Sequence, residues 1–193
     1  MSFRELLAAE FRPYGDLSAS QLEQLEEHYR LLVAWNRGLN LTRLTNLEEA
    51  VRLHYCESLF VGTTLPAGPL AVCDAGSGAG FPGIPLAIFR PDLDLTLLEA
   101  DQRKAVFLRE AARELKNVNV RVDRIEICSA RFDWVVSRAV SSEELLSSSL
   151  APNFALLTSI DRAPAGFEVI RLPWGSNRVL ALGASVPRET TPQ

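Results

Sequence analysis

Histidine, methionine and cysteine are scarce in this chain: two, one and three among 193 residues. Cys56, Cys73 and Cys128 form an odd, scattered set without metal-ligand spacing. They read as reduced, mostly buried thiols, not as a disulfide framework or a zinc site. His28 and His54 match no metal motif, so no metal is expected. Apolar runs of membrane-spanning length are missing, as is a signal-peptide pattern, and no membrane partner and a cytoplasmic location are expected. A large charge excess is lacking too. The formal net charge of −4 gives no global argument for nucleic acid, although a basic face can coexist with an acidic whole. What remains is ordinary globular material, 47% hydrophobic and 23% charged, enough for one domain with a full core.

Glycine is concentrated where it is most informative. Val72-Cys73-Asp74-Ala75-Gly76-Ser77-Gly78-Ala79-Gly80-Phe81-Pro82-Gly83 runs from short apolar residues into an acid, then into glycines at every second position. This is how a buried parallel strand turns tightly, so that its backbone lies against a nucleotide-like ligand at a helix N-terminus. Pro82 and Pro85 suit an opening helical turn. The spacing leaves two ligands open. Gly76-x-Gly78-x-Gly80 is common in S-adenosylmethionine (SAM) sites, whereas Gly78-x-Gly80-x-x-Gly83 also fits a dinucleotide fingerprint. A second strand, Leu95 to Leu98, ends at Glu99, where a doubly wound fold places an acid to bind ribose hydroxyls. Glycines and acid together point to an adenosyl ligand.

The rest of the chain divides in two. Residues 18–36 read as an amphipathic helix begun by a Ser18/Gln21 capping box, and Thr45 with Glu48 makes a second box opening a helix through Leu59. A turn-rich junction at Pro66-Ala67-Gly68-Pro69 ends this region. The expected organisation is a helical N-terminal extension over 1–66, packed on a core over 67–193. From residue 70, strands at 70–73, 94–98, 118–122, 132–137 and 154–157 alternate with helices, including one at about 102–116 and one opened by Ser141/Glu144. A hairpin of 167–172 and 178–183 closes the pattern. This predicts an α/β fold: a Rossmann-like, mostly parallel seven-stranded sheet with one antiparallel strand, the architecture of a class I SAM-dependent methyltransferase.

Several blocks carry a more specific likeness. They are Trp35-Asn36, Asn40-Leu41-Thr42, His54, Ser58-Leu59, the glycine-proline block from Asp74 to Leu86, Leu98-Glu99, Arg103-Lys104-Ala105-Val106-Phe107-Leu108-Arg109, Arg124-Ile125-Glu126, and Phe132 to Ala139. In this order the chain resembles the bacterial 16S ribosomal RNA guanine-N7 methyltransferases, the glucose-inhibited division protein B family. The resemblance implies SAM binding by Gly76 and Phe81, the adjoining Gly78 and Gly80, Ile125, Glu126 and Arg138. It also implies a substrate in 16S ribosomal RNA or the small ribosomal subunit. Departures are Glu57 where the family has Asp, a short connection from Glu126 to Phe132, Thr158-Ser159 in place of a Lys-Gly pair, and a compact C-terminal third.

Guanine N7 carries an unprotonated lone pair at neutral pH, so attack on a sulfonium methyl group requires no general base. No catalytic acid or base is assigned. The enzyme's main task is alignment. The purine gains positive charge as the bond forms, so Arg138 is expected to orient cofactor or phosphate instead of acting as an acid. In A-form RNA the N7 edge faces a deep groove, so the target base is expected in a loop or turned out of its stack. Phe81, Trp134 and Trp174 are candidate stacking rings. Asp74 is expected to cap the glycine turn, or to act electrostatically near the sulfonium. Arg103 and Lys104 are the candidates for RNA phosphate contacts. A monomer is expected. The competing readings are a SAM-binding RNA chaperone or assembly factor without turnover, and a nicotinamide-dependent dehydrogenase.

Overall fold

The computed structural model describes residues 1–43 and 46–184. Two helices open the chain, α1 (Phe3–Phe11) and α2 (Ala19–Leu39). The α1 helix is absent from the sequence-based expectation, yet its signals are ordinary. Ser2 and Glu5 form a reciprocal capping box, and Phe3, Leu6, Leu7 and Phe11 line its buried face. In α2 the expected Ser18/Gln21 box is present, and Gln21 also donates to the carbonyls of Ile88 and Phe89. The third helical run comprises α3 (Leu47–Ala50), a π-helical turn (Val51–Cys56) and α4 (Glu57–Thr64). Asn46 caps it by accepting from the backbone N–H groups of Glu48 and Glu49. The predicted cap Thr45 lies outside the described residues.

Seven strands follow: β1 (Ala71–Ala75), β2 (Asp94–Glu99), β3 (Val118–Val122), β4 (Trp134–Ser137), β5 (Asn153–Ser159), β6 (Glu168–Arg171) and β7 (Arg178–Ala184). Their order across the sheet is β3-β2-β1-β4-β5-β7-β6. The first five strands pair in parallel, and β7 lies antiparallel between β5 and β6. The expected fold class is therefore observed. Helices α5 (Gly83–Phe89), α6 (Gln102–Ala111) and α7 (Ser142–Ser147) fall between strands. Helix α6 stops five residues short of its predicted end. The chain there tightens into turns at Arg113 and Leu115, and Asn117 donates to the carbonyls of Ala87 and Leu93.

Apolar residues from both regions form a common core, with Phe3, Leu7, Leu25, Tyr55 and Leu59 in one cluster with Val72, Leu95, Leu97 and Phe107. At roughly 1.5–3 kcal/mol per fully buried large side chain, this shared layer holds the helices on the sheet. The strand order reverses between β1 and β4. In an open α/β sheet that switch point opens a crevice beyond the strands' C-terminal ends. Among the described residues no helix is long and apolar enough to cross a membrane.

Candidate functional site: a crevice at the strand switch point

Gly76, Gly78 and Gly80 all have positive φ, at 70°, 56° and 83°, which glycine adopts without a Cβ clash. Five of the loop's amides are occupied internally. Gly76 and Ser77 donate to the Leu98 carbonyl, Gly78 donates to Glu99, and Gly80 and Phe81 donate to the Ser77 carbonyl. At these five amides the expected contact of the loop's backbone with a nucleotide-like ligand is not met. A pyrophosphate-binding loop needs free N–H groups at a helix N-terminus. Here the first N–H of α5, from Gly83, is held by Asp74 Oδ2 at 3.0 Å. A carboxyl group thus stands where a dinucleotide fold places phosphate, and the geometry disfavours the dehydrogenase reading.

Asp74 is fully buried, its Oδ1 has no partner, and burial pushes its carboxyl up to about 7. It caps the glycine turn. Gly80 and Phe81 face inward as well. A Cβ on Gly80 would strike Ile84 at 2.5 Å, and Phe81 packs among His28, His54 and Tyr55. Phe81 is therefore an interior ring, not an exposed stacking platform. Trp134 starts β4, at the opposite end of that strand from the switch-point crevice, and Trp174 packs on Tyr14 and Phe60. None of the three candidate rings lines a crevice cavity.

Three cavities adjoin along the strand ends. The first, about 280 Å³, is lined by Gly76, Leu98, Glu99, Asp123, Ile125 and Glu126 among others. It brings four of the predicted cofactor residues together. Both Glu99 oxygens accept a backbone N–H, from Gly78 at 2.8 Å and Asp101 at 2.9 Å, and a carboxylate retains acceptor capacity beyond two bonds. Val140 shares this wall: a Cβ on Gly76 would meet its methyl at 2.5 Å. A Cβ on Gly78, by contrast, meets only the Gly76 carbonyl at 3.8 Å, so the space beside it is open.

The second cavity, about 440 Å³, lies between the ends of β4 and β5 and includes Arg138, Val140, Glu143, Thr158 and Arg162. The third, about 470 Å³, is lined by residues 40–43 with Leu53, His54, Arg138 and Arg178. Arg138 belongs to both. Its Nη1 donates to the Leu53 carbonyl at 3.0 Å and to His54 Nδ1. Burial lowers this guanidinium to about 10, so it stays charged at neutral pH. Arg178 enters the third cavity from β7, gripped by both oxygens of fully buried Glu57 at 2.9 and 2.6 Å. The Glu57 departure noted in the sequence thus has a partner, 121 positions away.

Arg103 and Lys104 line none of these cavities. Arg103 donates to the Gly38 carbonyl at 3.3 Å and stitches α6 to the end of α2. The arginines that do line the third cavity, Arg43 and Arg178, carry no local sequence signal, because only the fold brings them beside Arg138. Cys56, Cys73 and Cys128 are buried free thiols.

Strand order, the glycine turn and an acid-lined crevice at the switch point define the class I SAM-dependent methyltransferase fold. Solved structures of that fold agree. A SAM-dependent methyltransferase from Aquifex aeolicus superposes with a TM-score of 0.56 at 18% identity, over 76% of this chain and 97% of that one. The 23S rRNA methyltransferase ErmE gives 0.50 at 19% identity, over 66% and 67%.

A narrower assignment comes from sequence. The family model described as rRNA small subunit methyltransferase G (GidB) matches residues 21–155, and the chain belongs to this family. The ribosomal RNA small subunit methyltransferase G of Methylobacillus flagellatus is 46% identical over 130 residues, covering 65% of this chain and 62% of that protein. Its counterpart in Halorhodospira halophila is 43% identical over 149 residues, covering 74% and 70%. The aligned stretch thus spans under two thirds of the first of these relatives.

Proposed function

We propose that this chain transfers a methyl group from SAM to N7 of one guanine in 16S ribosomal RNA. The observation that carries the reading is the division of charge between the first and third cavities. Glu99, Asp123, Glu126 and Glu144 line the first cavity against a single cation, Arg124, whereas Arg43, Arg138 and Arg178 line the third. An acidic crevice with an apolar floor of Leu98, Ile125 and Val140 suits an adenosyl group bearing a sulfonium, and a basic one suits a polyanion.

In this reading Gly76, Glu99, Ile125 and Glu126 hold the adenosyl part. Asp74, Gly80 and Phe81 act from beneath, by fixing the turn that shapes the crevice. The open space beside Gly78, which a side chain there would fill, is the fit expected of such a cofactor. When bound, SAM supplies an electrophilic methyl group. The protein's residues then have to align an acceptor, since guanine N7 carries its lone pair already. The middle cavity, between the other two, receives the base. Glu143 there is an acceptor near which a purine gaining positive charge is stabilised. Arg138 borders the middle and third cavities and orients the acceptor base and its phosphate. Arg43 and Arg178 meet RNA phosphates, with Arg103 and Lys104 on the flank. The protein acts as a monomer, with the 1–66 helices an extension on the 67–193 core and the cytoplasm as the place where ribosomal RNA is met.

Undermethylated small subunits incubated with labelled SAM test this directly, with the modified nucleotide mapped afterwards. Label on a single 16S guanine, at N7, is expected. Saturable SAM binding without incorporated label would replace the enzyme with a SAM-binding assembly factor.

A further inference from the structure

We propose that His54 is a positioning residue for Arg138, the central link of a hydrogen-bonded strut that runs from α2 through the 40–43 segment to the end of β4. The strut begins at Asn36, whose side-chain amide donates to the Thr42 carbonyl at 3.0 Å and accepts from the Thr42 N–H at 2.8 Å. Thr42 Oγ1 meets His54 Nε2 at 2.8 Å, and His54 Nδ1 meets Arg138 Nη1. A guanidinium donates only, so Nδ1 is the acceptor. The proton therefore sits on Nε2 and is given to Thr42. Both ring nitrogens are thereby committed, and the tautomer is fixed by its neighbours.

Two further contacts lock the arrangement. The imidazole stacks on Phe81, with centroids 4.6 Å apart and planes within 16°. Arg138 Cζ lies 5.4 Å from the centroid of the same ring, within cation–π range. The π-helical turn that carries His54 also presents the Leu53 carbonyl to Arg138, a use typical of such turns near functional sites. Burial and the adjacent guanidinium hold the imidazole down at about 2, so it remains an acceptor at any working pH. Thr42 and Arg138, the partners of the two nitrogens, both line the 470 Å³ cavity, and Arg138 alone continues into the 440 Å³ cavity. Phosphate engaged at the 40–43 segment thus bears on the guanidinium that faces the acceptor base. That consequence rests on the proposed function, whereas the strut rests on the geometry alone.

Two measurements test it. In imidazole ¹⁵N spectra, His54 should show a bare Nδ1 and a protonated Nε2, with the Nδ1 resonance shifted in Arg138→Gln. A proton on Nδ1, or no response to Arg138→Gln, would overturn the strut. In methyl transfer, His54→Phe keeps the ring stack but removes both nitrogens and should lower kcat/KM by about tenfold, within the range of directly coupled pairs. His54→Asn, which retains an acceptor near Nδ1, should recover most of that loss. In an Arg138→Gln background His54→Phe should add nothing. Equal losses in both backgrounds would reduce His54 to a packing residue. A wild-type protein that transfers no methyl group would defeat the functional reading, and the nitrogen spectrum would still decide the strut. The same spectrum carries the test if His54→Phe does not fold.

Discussion

The two outer cavities of the crevice are built on opposite principles. The cofactor-side wall is acidic and centred on a local turn: its glycine turn spans Gly76 to Gly83, and Glu99 lies at the end of the neighbouring strand, with Asp123, Glu126 and Glu144 beyond. The RNA-side wall is long-range and basic: Arg43, Arg138 and Arg178 come from three separate segments. Under the proposed function, this difference sorts a cation from a polyanion, and no metal-binding cluster occurs among the described residues. Backbone shape and acidic side chains set the first wall and basic side chains set the second, with Arg138 leading from the second into the middle cavity.

The comparison can be broken most severely at the turn. Gly78→Val places a branched side chain in the open space beside the loop, at a φ of 56°. Calorimetry should show SAM binding abolished, and backbone strain should lower stability by about 1–3 kcal/mol. Tight SAM binding by this variant would misplace the pocket. On the opposite wall, Glu57→Ala strands the half-buried Arg178. Denaturant unfolding should show stability lower by about 3 kcal/mol, the lower end for a broken buried pair because Arg178 keeps partial access to water.

Charge reversal sharpens the contrast further. Arg43→Glu should weaken RNA binding while leaving SAM affinity unchanged. It should also make the log–log salt dependence shallower by about 0.7 for each phosphate that Arg43 neutralises on single-stranded RNA. Glu126→Lys should do the reverse. A variant that moved both affinities equally would erase the division between the walls.

The smallest effect is on stability against pH. His28 is held at about 4 and His54 at about 2 in the folded protein, against 6.5 for an exposed imidazole. The unfolded chain therefore binds more protons below pH 6.5, and these histidines' contribution to stability is lost as the pH falls toward 4. Asp74, raised to about 7 from 3.8, opposes them, since its folded form holds the proton more tightly over the same window. Two sites outweigh one, so the thermal midpoint should fall between pH 6.5 and 4. His54→Asn should flatten that slope; an unchanged slope would mean that His54 titrates normally.

Legibility in the sequence follows the same division. The strand–glycine–helix unit, Glu99 and the strand succession were readable because their physics is local: φ preference, apolar alternation and turn chemistry act within a few residues. The helix start at Ser18 was readable for that reason, and the box at Ser2 carried the same signal. What the loop's glycines do was less readable. Gly76 and Gly78 border the crevice, yet Gly80 makes room for Ile84, and the amides serve Leu98, Glu99 and Ser77 instead of a ligand. Phosphate contacts drawn from the Arg103-Lys104 pair fell on a helix that binds α2, because adjacent charges in sequence say nothing about which cavity they reach. Arg178 owes its place to Glu57 on α4, 121 positions away in sequence, a pairing that only the fold reveals.

The cofactor wall is tested most directly by titrating SAM and NAD separately into the wild-type chain in a calorimeter. Saturable one-site binding of SAM and no heat with NAD are expected, because Asp74 and the carboxylates of Glu99, Asp123, Glu126 and Glu144 oppose a pyrophosphate. Binding of NAD at comparable affinity, or no binding of SAM, would contradict this reading.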